Sequence, residues 1–139
     1  MSFFEIHLRT LHVIANLFWI GSIVSVGLLI SLPLGAIRER GALARAVYLK
    51  LSAPAFGLSF LAGALRMVLD LQYYFVATHF MHAKLPLALG AIAIHHVLGA
   101  RARRLADGSR TTAGPAGILT AVLALLAAAA AFIALTKPF

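Results

Sequence analysis

Four long apolar runs occupy most of this 139-residue chain, and each is close to the roughly 20 residues that an α-helix needs to cross the hydrocarbon core of a bilayer. Charged residues make up 12% of the sequence, against about 25% in an ordinary soluble domain. A water-soluble domain of this size could not bury so much apolar surface. The sequence therefore predicts an all-α integral membrane protein, a four-helix bundle in one domain (1–139) with helices at 7–36, 51–76, 81–101 and 115–136.

The basic residues predict the orientation of the bundle. They are concentrated in the first and third connections, whereas the N-terminus, the second connection and the C-terminus carry few. Because such residues favour the cytoplasmic side, we expect both termini on the periplasmic side of a bacterial inner membrane. The formal charge of +8 is then largely a topology signal with added contact to anionic lipid. It forms no groove-sized basic face, so no nucleic-acid partner is predicted.

The sequence lacks two features that many redox proteins use, and their absence excludes several kinds of site. The sequence contains no cysteine, which excludes disulfides, thiolate nucleophiles and Cys-ligated clusters. It also contains no Gly-rich phosphate-binding fingerprint, so bound flavin or NAD is not expected. The first apolar run is longer than the apolar region of a signal peptide and follows Glu5, so we expect it to remain as an anchor.

Ionisable side chains inside a span are costly, and each is a candidate functional group facing the bundle interior. Several of these ionisable side chains fall in the half of the membrane predicted to be periplasmic. On the first helix, His12 shares one face with Asn16 and Trp19. Less specific roles remain open, because Arg66 could pair with Asp70 as a structural ion pair and Lys84 could snorkel to the membrane surface. The full set is His7, Arg9, His12, Arg66, Asp70, His79, His82, Lys84, His95 and His96.

Imidazole and cationic groups at one depth favour an iron porphyrin. Imidazole is a common ligand of haem iron, and the two propionates of a haem attract Arg or Lys. Haem b is therefore the predicted cofactor, with His12 as a ligand and His82 as a candidate metal ligand, although His82, His95, His96 or no residue could supply the second axial ligand. The predicted cofactor-binding residues are His12, Asn16, Trp19, Arg66, His82, Lys84 and His96.

Two segments carry a resemblance to a known family. Met81-His82-Ala83-Lys84-Leu85, followed by His95-His96, resembles the third helix of HemJ-type protoporphyrinogen oxidases, and the ending Lys137-Pro138-Phe139 is similar to theirs. The opening Leu11-His12-Val13-Ile14, with Trp19 and Gly21 after it, resembles the first helix shared by HemJ and the wider CopD-like membrane proteins.

The resemblance implies a haem-b-binding membrane enzyme. It would remove six hydrogens from protoporphyrinogen IX to give protoporphyrin IX and pass the electrons to an acceptor in the membrane. The family's functional pair corresponds to His12, as haem ligand, and Lys84, which would serve activity or contact a propionate. Expected partners are thus the tetrapyrrole, membrane lipid, and a membrane redox partner or a second copy of the chain.

Two other functions remain open from the sequence. The chain could be a non-enzymatic b-type cytochrome, acting as an electron-transfer subunit of a membrane complex. It could instead be a copper-handling protein of the CopD-like kind, with His12 and His82 as the metal ligands. A measurement of oxidase activity distinguishes the cytochrome from the enzyme. Metal analysis distinguishes the copper-handling protein from both.

Overall fold

The computed structural model describes residues 3–137, and these residues form helices and connecting turns with no strand. Four segments are long and apolar enough to cross a membrane: Phe3–Ser31, Ile37–Leu69, Phe80–Ala106 and Ala116–Thr136. The predicted all-α membrane protein with four spans is confirmed at this level. The last two residues of the C-terminal Lys-Pro-Phe motif, Pro138 and Phe139, lie outside the described residues. The helices are α1 (Phe3–Ser31), α2 (Ile37–Val47), α3 (Ala53–Leu69), α4 (Met81–Ala106) and α5 (Ala116–Thr136).

The second span begins earlier than the sequence predicts. It starts at Ile37 rather than near residue 51, and α2 continues through a π-helical turn, Tyr48–Ser52, into α3. The arginines that suggested a loop lie on an amphipathic helix instead. Arg40 donates to the carbonyl oxygen of Ile30 at 3.1 Å and Arg38 to that of Ala106 at 3.3 Å. Both cations thus lie at helix carboxyl ends, where they satisfy exposed carbonyls and complement the helix dipole.

The first and third spans also end differently from the prediction. Helix α1 stops at Ser31, before Pro33, because the residue preceding a proline is disfavoured in helical conformation. Helix α4 runs on to Ala106 and ends before Gly108, whose φ of 82° reverses the chain. In that turn, hydrogen bonds from the side chain and backbone of Ser109 hold the pKa of the Asp107 carboxyl below its usual range.

Helix α1 packs along α2, α3 and α5, and α4 packs along α2 and α5. Small residues permit close approach: a Cβ atom at Gly27 would collide with Thr120 of α5, and one at Gly41 would lie 2.8 Å from the backbone of α4. In the part of the chain that the structure describes, α3 and α4 make few close backbone contacts with each other. These two helices therefore meet mainly through side chains, as the Phe56 and His95 rings do at 4.9 Å.

We call the end of the bundle where α1 begins the His12 end, and the end where α4 finishes the arginine end. The short segment Tyr73–Ala77, a second π-helical turn, joins α3 to α4 at the His12 end.

Candidate functional site

The imidazole of His12 is held between α1 and α3 in a fixed orientation. Its Nδ1 atom lies 2.8 Å from the carbonyl oxygen of Ser59. Because a carbonyl oxygen can only accept, Nδ1 carries the proton, and the neutral ring has its lone pair on Nε2. Gly63 makes this position available, since a Cβ atom there would lie 2.7 Å from Cε1 of the ring.

The Asn16 side chain packs on the face of the same ring. Its amide nitrogen lies 3.1 Å from Nε2 and 3.4 Å from Nδ1 of His12, and it donates to the His12 carbonyl oxygen at 2.9 Å. A donor almost equidistant from both ring nitrogens cannot lie along the in-plane lone pair of either. The Nε2 lone pair therefore remains directed away from Asn16, in the plane of the ring.

Two cations from other helices join His12. The positive charges of Arg66, on α3, and Lys84, on α4, both act on the His12 ring, and Arg66 also acts on Lys84. Arg66 donates to the Tyr74 hydroxyl at 2.7 Å, whereas the Asp70 carboxylate accepts the backbone N–H of Tyr73 at 3.0 Å. The structure thus brings together four of the predicted site residues and adds Ser59, which was not predicted. We call these five the His12 cluster: His12, Asn16, Ser59, Arg66 and Lys84.

His82 lies in other surroundings. It is exposed, its Nδ1 is 3.0 Å from the carbonyl oxygen of His79, and its ring meets the Phe75 ring edge-on at 5.6 Å. These contacts are with the connection between α3 and α4, so the structure does not place His82 in the His12 cluster. Within residues 3–137 no group of three or more His, Asp or Glu side chains could hold a metal ion.

A second cluster surrounds His95 in the middle of the bundle. His95 is fully buried, and its ring lies 4.9 Å from the rings of both Tyr48 and Phe56. The indole of Trp19 donates from Nε1 to Nδ1 of His95 at 3.1 Å. We call this the His95 box: Trp19, Tyr48, Ser52, Phe56, His95 and His96.

The hydrogen bond from Trp19 fixes the proton of His95. An indole N–H is a donor only, so Nδ1 of His95 must accept and the neutral ring carries its proton on Nε2. That Nε2 is buried without a hydrogen-bond partner among the described residues. In this arrangement neither nitrogen of His95 offers a lone pair to iron, which disfavours His95 as the second axial ligand.

The π-helical turn Tyr48–Ser52 builds one wall of the His95 box. Turns of this kind occur often at functional sites, and here Tyr48 and Ser52 both reach His95. The sequence predicts that Trp19 and His96 bind a cofactor, and Tyr48, Ser52 and Phe56 are not among the predicted site residues. A signal was present in Pro54, two residues after the end of the turn, because proline lacks the N–H that a regular helix would use at that position.

A comparison of the chain with protein-family models, with curated proteins and with solved structures finds no match in any of the three. An imidazole whose N–H is fixed by a backbone carbonyl is the usual form of a metal-ligating histidine. With two cations beside it, the donor set of the His12 cluster suits an iron porphyrin with propionates. The His95 box, where Nδ1 accepts from Trp19, does not.

Proposed function

We propose that this protein binds haem b at the His12 cluster and acts as a membrane oxidoreductase of the HemJ kind, converting protoporphyrinogen IX to protoporphyrin IX. The bundle would lie in a bacterial inner membrane with its arginine end in the cytoplasm, as the basic residues favour. The electrons would pass to an acceptor in the membrane.

One observation carries the proposal: the pairing of His12 Nδ1–H with the Ser59 carbonyl at 2.8 Å. It fixes the tautomer and leaves Nε2 as the coordinating atom, as in metal sites where an outer partner orients the imidazole. An ordinary structural histidine would satisfy both ring nitrogens with protein partners. Here the only hydrogen-bonding contact of Nε2 among the described residues is the Asn16 amide nitrogen at 3.1 Å, which lies nearly as close to Nδ1 and so off the Nε2 lone pair; iron would take that lone pair.

The chain's own residues have distinct tasks in this proposal. His12 would hold the iron, Asn16 and Gly63 would keep its ring in place, and Arg66 and Lys84 would bind carboxylates. Haem and the tetrapyrrole substrate both carry two propionates, which are matched by guanidinium and ammonium groups. When bound, the haem supplies the redox chemistry, and the protein supplies ligation, placement and electrostatics.

Spectra and turnover of the purified protein test the proposal. We expect a Soret band and a reduced-minus-oxidised difference spectrum of a b-type haem in the detergent-solubilised protein. We further expect oxidation of protoporphyrinogen IX, followed by porphyrin fluorescence above the rate without protein, when an artificial electron acceptor is added. Haem without turnover would instead favour the b-type cytochrome, and copper without a Soret band would contradict both.

Lys84→Gln tests the role of the α4 cation. Because Lys84 lies half-buried beside His12 and Arg66, we expect turnover or haem affinity to fall by about tenfold, in keeping with the loss of one charge-assisted hydrogen bond. Membrane insertion should persist, since one flanking Lys contributes only about 1 kcal/mol near an anionic surface. Lys50→Gln, at an exposed position, is the control, and equal activity in both variants would assign Lys84 to snorkelling.

A further inference from the structure

A pocket of about 180 Å³ lies at the arginine end, on the last turns of α4. Three arginines line it, from α4 and from the turn that follows, and two apolar residues complete its wall. The pocket lies at the opposite end of α4 from Lys84 and takes no part in the His12 cluster. Its lining consists of Val97, Ala100, Arg101, Arg104 and Arg110.

The turn after α4 folds Arg110 back towards the helix. Gly108 adopts a φ of 82°, which reverses the chain, and the N–H of Arg110 donates to the carbonyl oxygen of Arg104 at 2.9 Å. The N–H of Gly108 donates to the carbonyl oxygen of Leu105 at 3.3 Å, as is typical of a helix that ends on a left-handed glycine. The backbone thereby places the Arg110 side chain beside those of Arg101 and Arg104.

The positive charge in this pocket has no acidic partner in its lining. The nearest turn carboxylate, Asp107, accepts hydrogen bonds from the backbone and hydroxyl of Ser109. Arg101 donates to the carbonyl oxygen of Ala113 at 3.0 Å, a neutral acceptor that leaves its charge unbalanced. Because like charges held together repel, an anion bound among the three guanidinium groups would stabilise the arrangement.

The position of the pocket in its helix indicates where that anion comes from. Val97 is exposed and lies one turn before Arg101 on α4, towards the middle of the span. The pocket thus has guanidinium groups at the helix end and apolar wall on the membrane side. This order matches a phospholipid, whose phosphate lies at the interface and whose acyl chains run into the hydrocarbon.

We propose that the pocket binds the phosphate of an anionic glycerophospholipid such as phosphatidylglycerol, with an acyl chain along Val97 and Ala100. The planar guanidinium fork of arginine suits phosphate oxygens, and basic pockets at helix ends bind anionic headgroups in this way. The interaction anchors the turn after α4 to one leaflet, independently of any cofactor at the His12 cluster.

Native mass spectrometry of the delipidated protein, supplied with phosphatidylglycerol or phosphatidylcholine in detergent, tests this proposal. We expect retained phosphatidylglycerol and little retained phosphatidylcholine. The double variant Arg104→Gln/Arg110→Gln should lower phosphatidylglycerol retention by about thirtyfold, the effect of removing two cationic contacts near a headgroup.

The control variant Arg45→Gln/Arg103→Gln removes the same charge from exposed arginines outside the pocket lining, and it should retain the lipid as the unmodified chain does. An equal loss in both double variants would overturn the site, since net charge alone would explain it. Equal retention of the two lipids would overturn it as well. Displacement of the lipid by millimolar inorganic phosphate would assign the pocket to free phosphate and overturn the lipid assignment.

Discussion

Replacing His12 with alanine should remove haem from the purified protein, so that the Soret absorbance per polypeptide falls by at least about tenfold. The expectation follows from the Nδ1–H bond to Ser59, which leaves Nε2 as the coordinating atom of the proposed site, because loss of a metal ligand removes more affinity than the 10–100-fold that an outer partner contributes. Folding should survive, since His12 is only half-buried.

His79→Ala is the matched control for this variant, because His79 is an exposed histidine at the same end of the bundle. Its haem content should equal that of the unmodified chain. Imidazole added to the His12→Ala protein should restore part of the Soret band by occupying the space left by the side chain. Equal haem retention in the two variants would remove His12 from the site, whatever the activity of either.

Substituting valine for Gly63 should also lower the haem content, although His12 itself is left unchanged. A Cβ atom at this position would lie 2.7 Å from Cε1 and 3.0 Å from Nδ1 of His12, so the ring must leave the Ser59 carbonyl. We expect haem content to fall severalfold, together with an overpacking cost of about 1–3 kcal/mol in the free energy of unfolding.

Gly57→Val provides the control on the same helix. A Cβ atom at Gly57 meets nothing within 4 Å, and the substitution carries the same change in helix propensity as Gly63→Val. The two proteins are compared by Soret absorbance and by thermal unfolding in one detergent. If both retain full haem, the close contact between Gly63 and the imidazole does not position the ligand.

The number of membrane-spanning helices followed from the sequence, because an apolar run of sufficient length has few other structures available to it. The residue at which the second span begins did not follow from the sequence. Its first turns contain Arg38, Arg40 and Arg45, which read as a loop by hydropathy, but Gly41 and Ala44 are buried and hold this segment against the bundle. Hydropathy averages over a window and therefore misses a charged helix that packs on one face.

The candidate site was predictable in its residue types and less so in its pairings. The spacing of His12, Asn16 and Trp19 puts them on one face of α1, but it does not show which residues they contact. His12 bonds to Ser59, which is 47 residues away in the chain, and Trp19 bonds to His95, which is 76 residues away. Contacts of that range depend on how α3 and α4 pack against α1, which a single sequence does not specify residue by residue.

The low number of close backbone contacts between α3 and α4 has a consequence for the proposed oxidase. If its tetrapyrrole substrate enters between these helices, the substrate would arrive from the hydrocarbon phase and would not have to shed a full hydration shell. Its effective concentration is then the amount dissolved per volume of bilayer. Diluting the protein into more lipid at fixed bulk substrate should accordingly raise the apparent KM in proportion to the added lipid, while kcat stays constant.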